Sequence, residues 1–311
     1  MTSQVNIGII GLGHLGSRHL KVYSEIPDRV RIAGIADVRE ETGRKLSDQY
    51  KVPFFPNASD LIGKVDAVNI CTPTTSHFEV ASQFLAQGIH TFIEKPMTTT
   101  LAEAEELIKL ASGNKCLIQV GHIERFNAAF EAIRHFAKDP RFVECHRLNH
   151  FPNRSLDIGV VMDLMIHDID IVLGLTGSMV ERVDAVGVPV LTPLEDIANA
   201  RISFANGCVC NLTASRVSDE VTRKIRIFLN DAYISLDYIK QEAFIYKKHG
   251  QMISKHALPI EKEEPLKKEL LSFLDCIQNR TKPLVSGTEG RDALKLALEI
   301  THKIWKNPKN T

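Results

Sequence analysis

The sequence predicts an α/β protein in two parts: a doubly wound parallel sheet, followed by an α+β domain built on a large, mostly antiparallel open sheet. Three observations predict this. Up to Gly121, short β-branched runs alternate strictly with helical patterns, the rhythm of a parallel sheet with helices on both faces. A glycine turn, Gly11-Leu12-Gly13-His14-Leu15-Gly16, stands between the first apolar run and the first helix. Beyond Gly121 extended runs follow one another with hairpin turn residues between them.

In chain order, Val5 to Ile10 reads as a buried strand, His14 to about Glu25 as a helix, Arg31 to Ala36 as a second strand, and Arg39 to Tyr50 as a polar helix. Val65 to Thr72 and Ile89 to Ile93 are further strands with a helix, His77 to Gln87, between them. Leu101 to Ala111 is helical with Thr99 or Thr100 as N-cap, and Cys116 to Val120 closes the parallel sheet. The second part opens with a helix from Ile123 to Phe136, a strand from Phe142 to Phe151 and a helix from Gly159 to Gly174. Extended runs then cover Arg182 to Val190, Ile197 to Phe204, Cys208 to Ser215, Lys224 to Leu229, Tyr233 to Asp237 and Ala243 to Lys247. Helices from Leu266 to Asn279 and Thr288 to Trp305 end the chain, so the expected domains are residues 1–121 and 122–311.

Lys plus Arg balances Asp plus Glu, 38 against 38, so there is no basic excess to bind nucleic acid or an anionic membrane. No Lys or Arg precedes the N-terminal apolar run, which argues against a signal peptide, and no apolar run approaches the roughly 18 residues of a membrane span. The six cysteines, without zinc or disulfide spacing, read as reduced core residues of a cytoplasmic protein. Cys208 and Cys210 face one side of a strand with no paired ligands near them in sequence, so packing is expected there rather than a metal.

Each glycine of the turn answers a physical need. Gly11 allows the tight turn, Gly13 the close approach of backbone to a pyrophosphate, and Gly16 the packing of helix on strand. Asp37 ends the second strand about 20 residues further on, where a carboxylate accepts hydrogen bonds from an adenosine ribose diol. That favours NAD over NADP. Asp37 also has a structural reading as N-cap of the following helix, and Arg39 beside it leaves room for a 2′-phosphate.

Two loops at strand ends carry polar groups at the mouth of such a crevice: Thr72-Pro73-Thr74-Thr75-Ser76-His77 and Glu94-Lys95-Pro96. Taken on its own, Lys95 reads first as a surface lysine beside a turn proline. On the helix from Gly159, Asp163, His167 and Asp170 recur at i, i+4 and i+7, a polar stripe in an otherwise apolar segment. Spacing leaves two readings open: a core histidine satisfied by its aspartate, or a general base oriented by a carboxylate. No third ligand accompanies the pair, so no metal is expected.

The ordered series Gly11 to Gly16, Thr72-Pro73 with His77, Glu94-Lys95-Pro96, Gly121-His122 with Arg125-Phe126-Asn127, and Asp163 with His167 resembles the glucose-fructose oxidoreductase, inositol dehydrogenase and rhizopine catabolism (Gfo/Idh/MocA) family over essentially the whole chain. The resemblance implies a Rossmann domain, an open-sheet α/β domain, and NAD(P)-dependent oxidation or reduction at a sugar or cyclitol carbon. It implies Lys95 as the substrate-orienting, proton-relaying lysine, His167 as the acid/base, and Asp163 as the residue that positions it or binds a substrate hydroxyl. It further implies cofactor contacts from Gly11, Gly13, His14, Leu15, Gly16, Asp37, Thr72, Pro73, His77, Glu94 and Lys95, and substrate contacts from Arg125 and Asn127. Gln119 to Asn127 looks most like the UDP-N-acetylglucosamine 3-dehydrogenases of the family, although Ala128 stands where those continue with proline. Arg154, in the loop before the helix, reads either as a partner of a substrate diphosphate or as an exposed loop arginine. The expected partners are a sugar or nucleotide-sugar substrate and further copies of the chain, as a dimer or tetramer through the C-terminal sheet.

Overall fold

The computed structural model describes residues 4–151, 157–250 and 252–306. Contacts divide the chain into two units, one of residues 1–122 with 266–291, the other of residues 123–265 with 292–311.

In the first unit the apolar runs become six parallel strands: β1 (Val5–Ile10), β2 (Val30–Ala36), β3 (Phe54–Phe55), β4 (Ala67–Ile70), β5 (His90–Glu94) and β6 (Ile118–Gly121), ordered β3-β2-β1-β4-β5-β6. Ile7, Ile9, Ile35, Val68, Ile70, Phe92 and Ile93 are wholly buried, as expected of strands covered on both faces. The order reverses between β1 and β4, and at such a switch point the loops leaving the carboxyl ends of the strands open a crevice. Helices α1 (His14–Ser24), α2 (Glu40–Tyr50), α3 (His77–Leu85) and α4 (Leu101–Gly113) lie between the strands in sequence. Thr100 caps α4 in a full capping box with Glu103.

The expected single boundary after Gly121 needs correction. The chain leaves the first unit after His122 but returns to it at Leu266, because α7 (Pro265–Asn279) packs on the parallel sheet. Phe273 meets Phe92 edge-on with ring centroids 5.8 Å apart, Gln119 Nε2 donates to the Glu269 carbonyl at 3.0 Å, and Arg29 donates to Asp275 at 2.6 Å.

The second unit contains α5 (Ala128–Arg134), β7 (Phe142–Leu148), α6 (Ile166–Thr176), then β8 (Val180–Val188), β9 (Ile197–Phe204), β10 (Val209–Ser215), β11 (Thr222–Phe228), β12 (Ala232–Asp237), β13 (Glu242–His249) and β14 (Met252–Ala257). The long helix α8 (Gly287–Trp305) begins in the first unit and ends in this one. The eight strands run β14-β13-β12-β11-β7-β10-β9-β8, antiparallel throughout except for the pair β7–β10. One face is packed: Val143, Cys145, Ile202, Leu212, Ile225 and Ile227 meet Phe130, Ile133, Ile166, Ile169 and Ile300 in a continuous core. Cys208 and Cys210 belong to that core, with sulfurs 3.9 Å apart. The other face carries an aromatic ladder, Phe142, Phe228, Tyr233 and Tyr246, with successive centroids 5.7, 5.4 and 4.2 Å apart.

Two helices differ from expectation. Ile123–Phe126 is a 3-10 turn, and α5 starts only at Ala128 because the Asn127 side chain accepts from the Ala129 amide at 3.1 Å. The segment from Gly159 begins with a π-helical turn, Val161–Met165, before α6, which ends at Gly177 in the left-handed region (φ 55°). Strand β14 is exposed along both faces, so it lacks the alternation that reveals a strand in sequence.

Candidate active site

Backbone geometry at the glycine turn fits an anion. Gly11 has φ 84°, and a Cβ there would lie 2.7 Å from the Thr72 amide nitrogen. A Cβ at Gly16 would stand 1.8 Å from the Gly11 carbonyl oxygen, so helix and turn meet only through glycine. At Gly13, by contrast, a Cβ would meet nothing within 4 Å. Gly13 is also the N-cap of α1 and offers no side chain to its amides, which leaves them to an approaching phosphate. Next to this turn the buried hydroxyl of Thr72 has no hydrogen-bond partner among the described residues. An open backbone beside an orphaned buried donor is what a dinucleotide cradle requires. His14 stands exposed and Leu15 half-buried in the first turn of α1.

Asp37 is buried and already engaged. Its carboxylate accepts from the Leu12 amide at 2.6 Å, the Arg39 amide at 2.8 Å, and Arg39 Nε and Nη2 at 3.1 and 3.0 Å. Burial raises its pKa, but these donors outweigh it and hold the carboxyl below the usual range. The alternative reading as N-cap of α2 is overturned, since Arg39 occupies that position and receives no side-chain cap.

The loops after β4 and β5 are stapled together by His77, which is buried with Nε2 2.9 Å from the Thr72 carbonyl and Nδ1 2.9 Å from the Pro96 carbonyl. Desolvation lowers its pKa, against the pull of the two carbonyls, which favour the charged ring. Its visible work is to hold Thr72-Pro73 beside Lys95-Pro96. Glu94 is buried, and its carboxylate lies so close to Gly121 that a Cβ there would come within 2.8 Å of it.

Behind Glu94 runs a relay that the sequence did not announce. The Tyr23 hydroxyl donates to Asn69 Oδ1 (3.1 Å), Asn69 Nδ2 donates to His19 Nδ1 (2.9 Å), and His19 Nε2 donates to Glu94 Oε1 (3.1 Å). The direction of the first bond sets the rest and leaves the imidazole proton on Nε2. Glu94 Oε2 then accepts from the Lys95 amide at 3.3 Å, so the lysine follows directly on an oriented carboxylate. His19, Cys71 and Glu94 also place one donor atom each within 4.8 Å, but both imidazole nitrogens are used in the relay. Burial, with Glu94 and Glu269 near, pushes the Cys71 thiol well up. The one sequence signal was Asn69, an amide inside the wholly buried strand β4.

In the second unit Asp163 and His167 occupy a half-exposed face, on the π turn and on α6. Asp170 does not continue their stripe. It is buried against Arg125, whose Nε donates to Oδ2 at 2.6 Å and whose Nη2 donates to Oδ1 at 3.0 Å and to the Asp170 carbonyl at 2.8 Å. Asp168 is likewise buried, bidentate with Arg147 at 3.0 and 2.8 Å, while Arg147 Nη1 donates to Glu124 at 2.9 Å. Burial opposes the Arg147 charge, but Asp168 and Glu124 overcome it and push its pKa up. Asn127 donates to the Tyr238 carbonyl at 3.1 Å besides capping α5. Arg125 and Asn127, expected to touch substrate, thus bond the protein's own groups in this structure. Arg154 lies outside the described residues.

The segment entering the π turn is fixed from a neighbouring loop. Glu195 accepts from the Val161 amide and from Trp305 Nε1, at 3.4 and 3.1 Å. Asp196 gathers the amides of Val190, Leu191 and Thr192 and the Nε of Arg216 at 2.6 to 2.8 Å, and Arg216 Nη1 donates to the Ile158 carbonyl at 2.7 Å.

Comparison with known proteins adds a lineage. Residues 5–122 match the family model described as "Oxidoreductase family, NAD-binding Rossmann fold", and residues 119–235 match the GFO/IDH/MocA C-terminal domain. The chain is 38% identical over 300 residues to a UDP-N-acetylglucosamine 3-dehydrogenase of Acidithiobacillus ferrooxidans, covering 94% of this chain and 95% of that protein. A solved structure of such an enzyme from the same organism superposes with a TM-score of 0.93 at 37% identity, covering 97% of this chain and 98% of that one. A myo-inositol 2-dehydrogenase of Thermotoga maritima is 27% identical, covering 94% of each.

Proposed function

The chain belongs to the GFO/IDH/MocA oxidoreductase family, and from that premise we propose that it uses NAD to oxidise the 3-hydroxyl of UDP-N-acetylglucosamine to a 3-keto nucleotide sugar. It is a dehydrogenase of CH–OH groups with an NAD-binding Rossmann domain. The observation that carries the substrate is the likeness at 38% identity along nearly the whole of both chains. Among the described residues no helix is long and apolar enough to cross a membrane, and a cytoplasmic site of action is part of the proposal.

The residues present fit the cofactor. The bare amides of the turn and of the α1 N-terminus would take the pyrophosphate, with Thr72 offering its orphaned hydroxyl and Asp37 its carboxylate to the ribose diol. Bound NAD supplies the hydride acceptor. The chain does the rest. Lys95, held by the Glu94 relay, donates from its ammonium to the substrate oxygen and stabilises the alkoxide as it forms. His167 accepts the hydroxyl proton on a ring nitrogen, and Asp163, on the same face, orients it or holds a neighbouring hydroxyl. The uncovered face of the eight-stranded sheet, with its aromatic ladder, seats a second copy of the chain.

The test is NADH formation from NAD with UDP-N-acetylglucosamine, free N-acetylglucosamine and myo-inositol, with glutamate and a sugar aminotransferase present to draw off the ketone. Turnover confined to the nucleotide sugar is expected. Preference for inositol or the free sugar would replace this substrate with a cyclitol or free sugar of the same chemistry.

A further inference from the structure

Resting on His167 as the base, we infer that the segment Glu124–Asn127 serves the reaction through α6: Arg125 and Arg147 are positioning residues of His167, and neither touches substrate. Successive helical residues are turned by about 100°, so Asp168 and Asp170 point to the two sides of the direction taken by His167. Each is buried and gripped by a separate arginine, Asp168 by Arg147 from β7 and Asp170 by Arg125 from the 3-10 turn. Two anchors on opposite flanks fix the roll of the helix, the one rotation that would swing His167 away from a proton it must take.

Arg125 also fixes the position along the axis, because it bonds both the carboxylate and the carbonyl of Asp170. Its guanidinium lies flat against Gly174, where a Cβ would come within 2.1 Å of Nη1. A glycine on that helix face is therefore a requirement of the clamp. External anchors are needed here since the π turn Val161–Met165 interrupts the regular ladder just before α6. Glu124 completes the frame by holding Arg147 from the far side, and Asn127 Nδ2 reaches Glu124 at 3.4 Å. Moving Arg125 onto a substrate would strand the buried Asp170 carboxylate.

The experiment measures kcat, KM for UDP-N-acetylglucosamine and Kd for NADH in the full-length protein carrying Arg125→Met, Arg125→Lys or Asp170→Asn. A positioning role predicts kcat at least tenfold lower in Arg125→Met, with KM and the NADH Kd within twofold of wild type, and partial recovery of kcat in Arg125→Lys. Asp170→Asn keeps the shape of the side chain and predicts the same split should the methionine variant fail to fold. A tenfold rise in KM at unchanged kcat, or wild-type values throughout, overturns the proposal. His167→Asn separates the two readings. Full turnover in that variant refutes His167 as base, and the clamp is then read from amide exchange: Ile166–Thr176 exchanges faster in Asp170→Asn while Ile197–Phe204 does not, and equal protection overturns it.

Discussion

Asp37 shows how one residue acquires a role that its position suggests only in part. Its carboxylate holds the Leu12 amide of the glycine turn and a bidentate Arg39 whose side chain is 59% exposed. On the proposed reading the acid would meet a ribose diol only once the arginine leaves, and that arginine would be the cation nearest a 2′-phosphate. Arg39→Ala should shift the NADH-to-NADPH affinity ratio toward NADH by about tenfold, the worth of one charge-assisted hydrogen bond, as read by fluorescence titration. An unchanged ratio would remove Arg39 from cofactor choice. The proposed reactive pair is tested separately. Lys95→Met and His167→Asn should each lower turnover by roughly a hundredfold or more while NADH binding stays nearly intact. Turnover at the wild-type rate in either variant would refute its assigned role. The relay that ends at Glu94, the residue before Lys95, was not legible, because Tyr23, Asn69, His19 and Glu94 come from separate segments.

At the scale of elements, periodicity located the strands other than β3 and β14, and most helices, to within a few residues, and local chemistry set where they start. Thr100 and Glu103 form the reciprocal cap of α4, so Thr100→Ala should cost about 1 kcal/mol, measured by denaturant unfolding. The helical pattern from Ile123 ran across Asn127, whose side chain interrupts it and begins a new helix, and the π turn before α6 left no mark in the hydrophobic period. The loop ending at Asp196 has a pH signature. Burial raises the pKa of that carboxyl, but the amides of Leu191 and Thr192 and the Arg216 guanidinium dominate and hold it far below the ordinary carboxylate range. A depressed native pKa contributes stability in full above the unfolded value, near 4, and loses it as pH falls toward the native value. Asp196→Asn should therefore lower Tm at pH 7, and the gap from wild type should narrow as the pH is taken below about 4. A pH-independent gap would show that the carboxylate charge carries none of this stability.

For the whole molecule, the proposed association rests on the open face of the eight-stranded sheet. Tyr233→Glu, in the middle of the aromatic ladder, should shift the sedimentation coefficient to that of a monomer while leaving the far-UV spectrum unchanged. A monomeric wild type would dispose of the seat for a second copy. The sequence by itself determined the two sheet types, the order of the elements and the glycine turn, because strand alternation, turn residues and motif spacing are local and repeat along the chain. Only the tertiary structure decided that α7 returns to the parallel sheet, that His77 staples two loops, and that Asp170 answers to Arg125 rather than to His167. Those outcomes rest on pairings between residues distant in sequence, where burial forces each polar group to find a partner and the chain order does not say which.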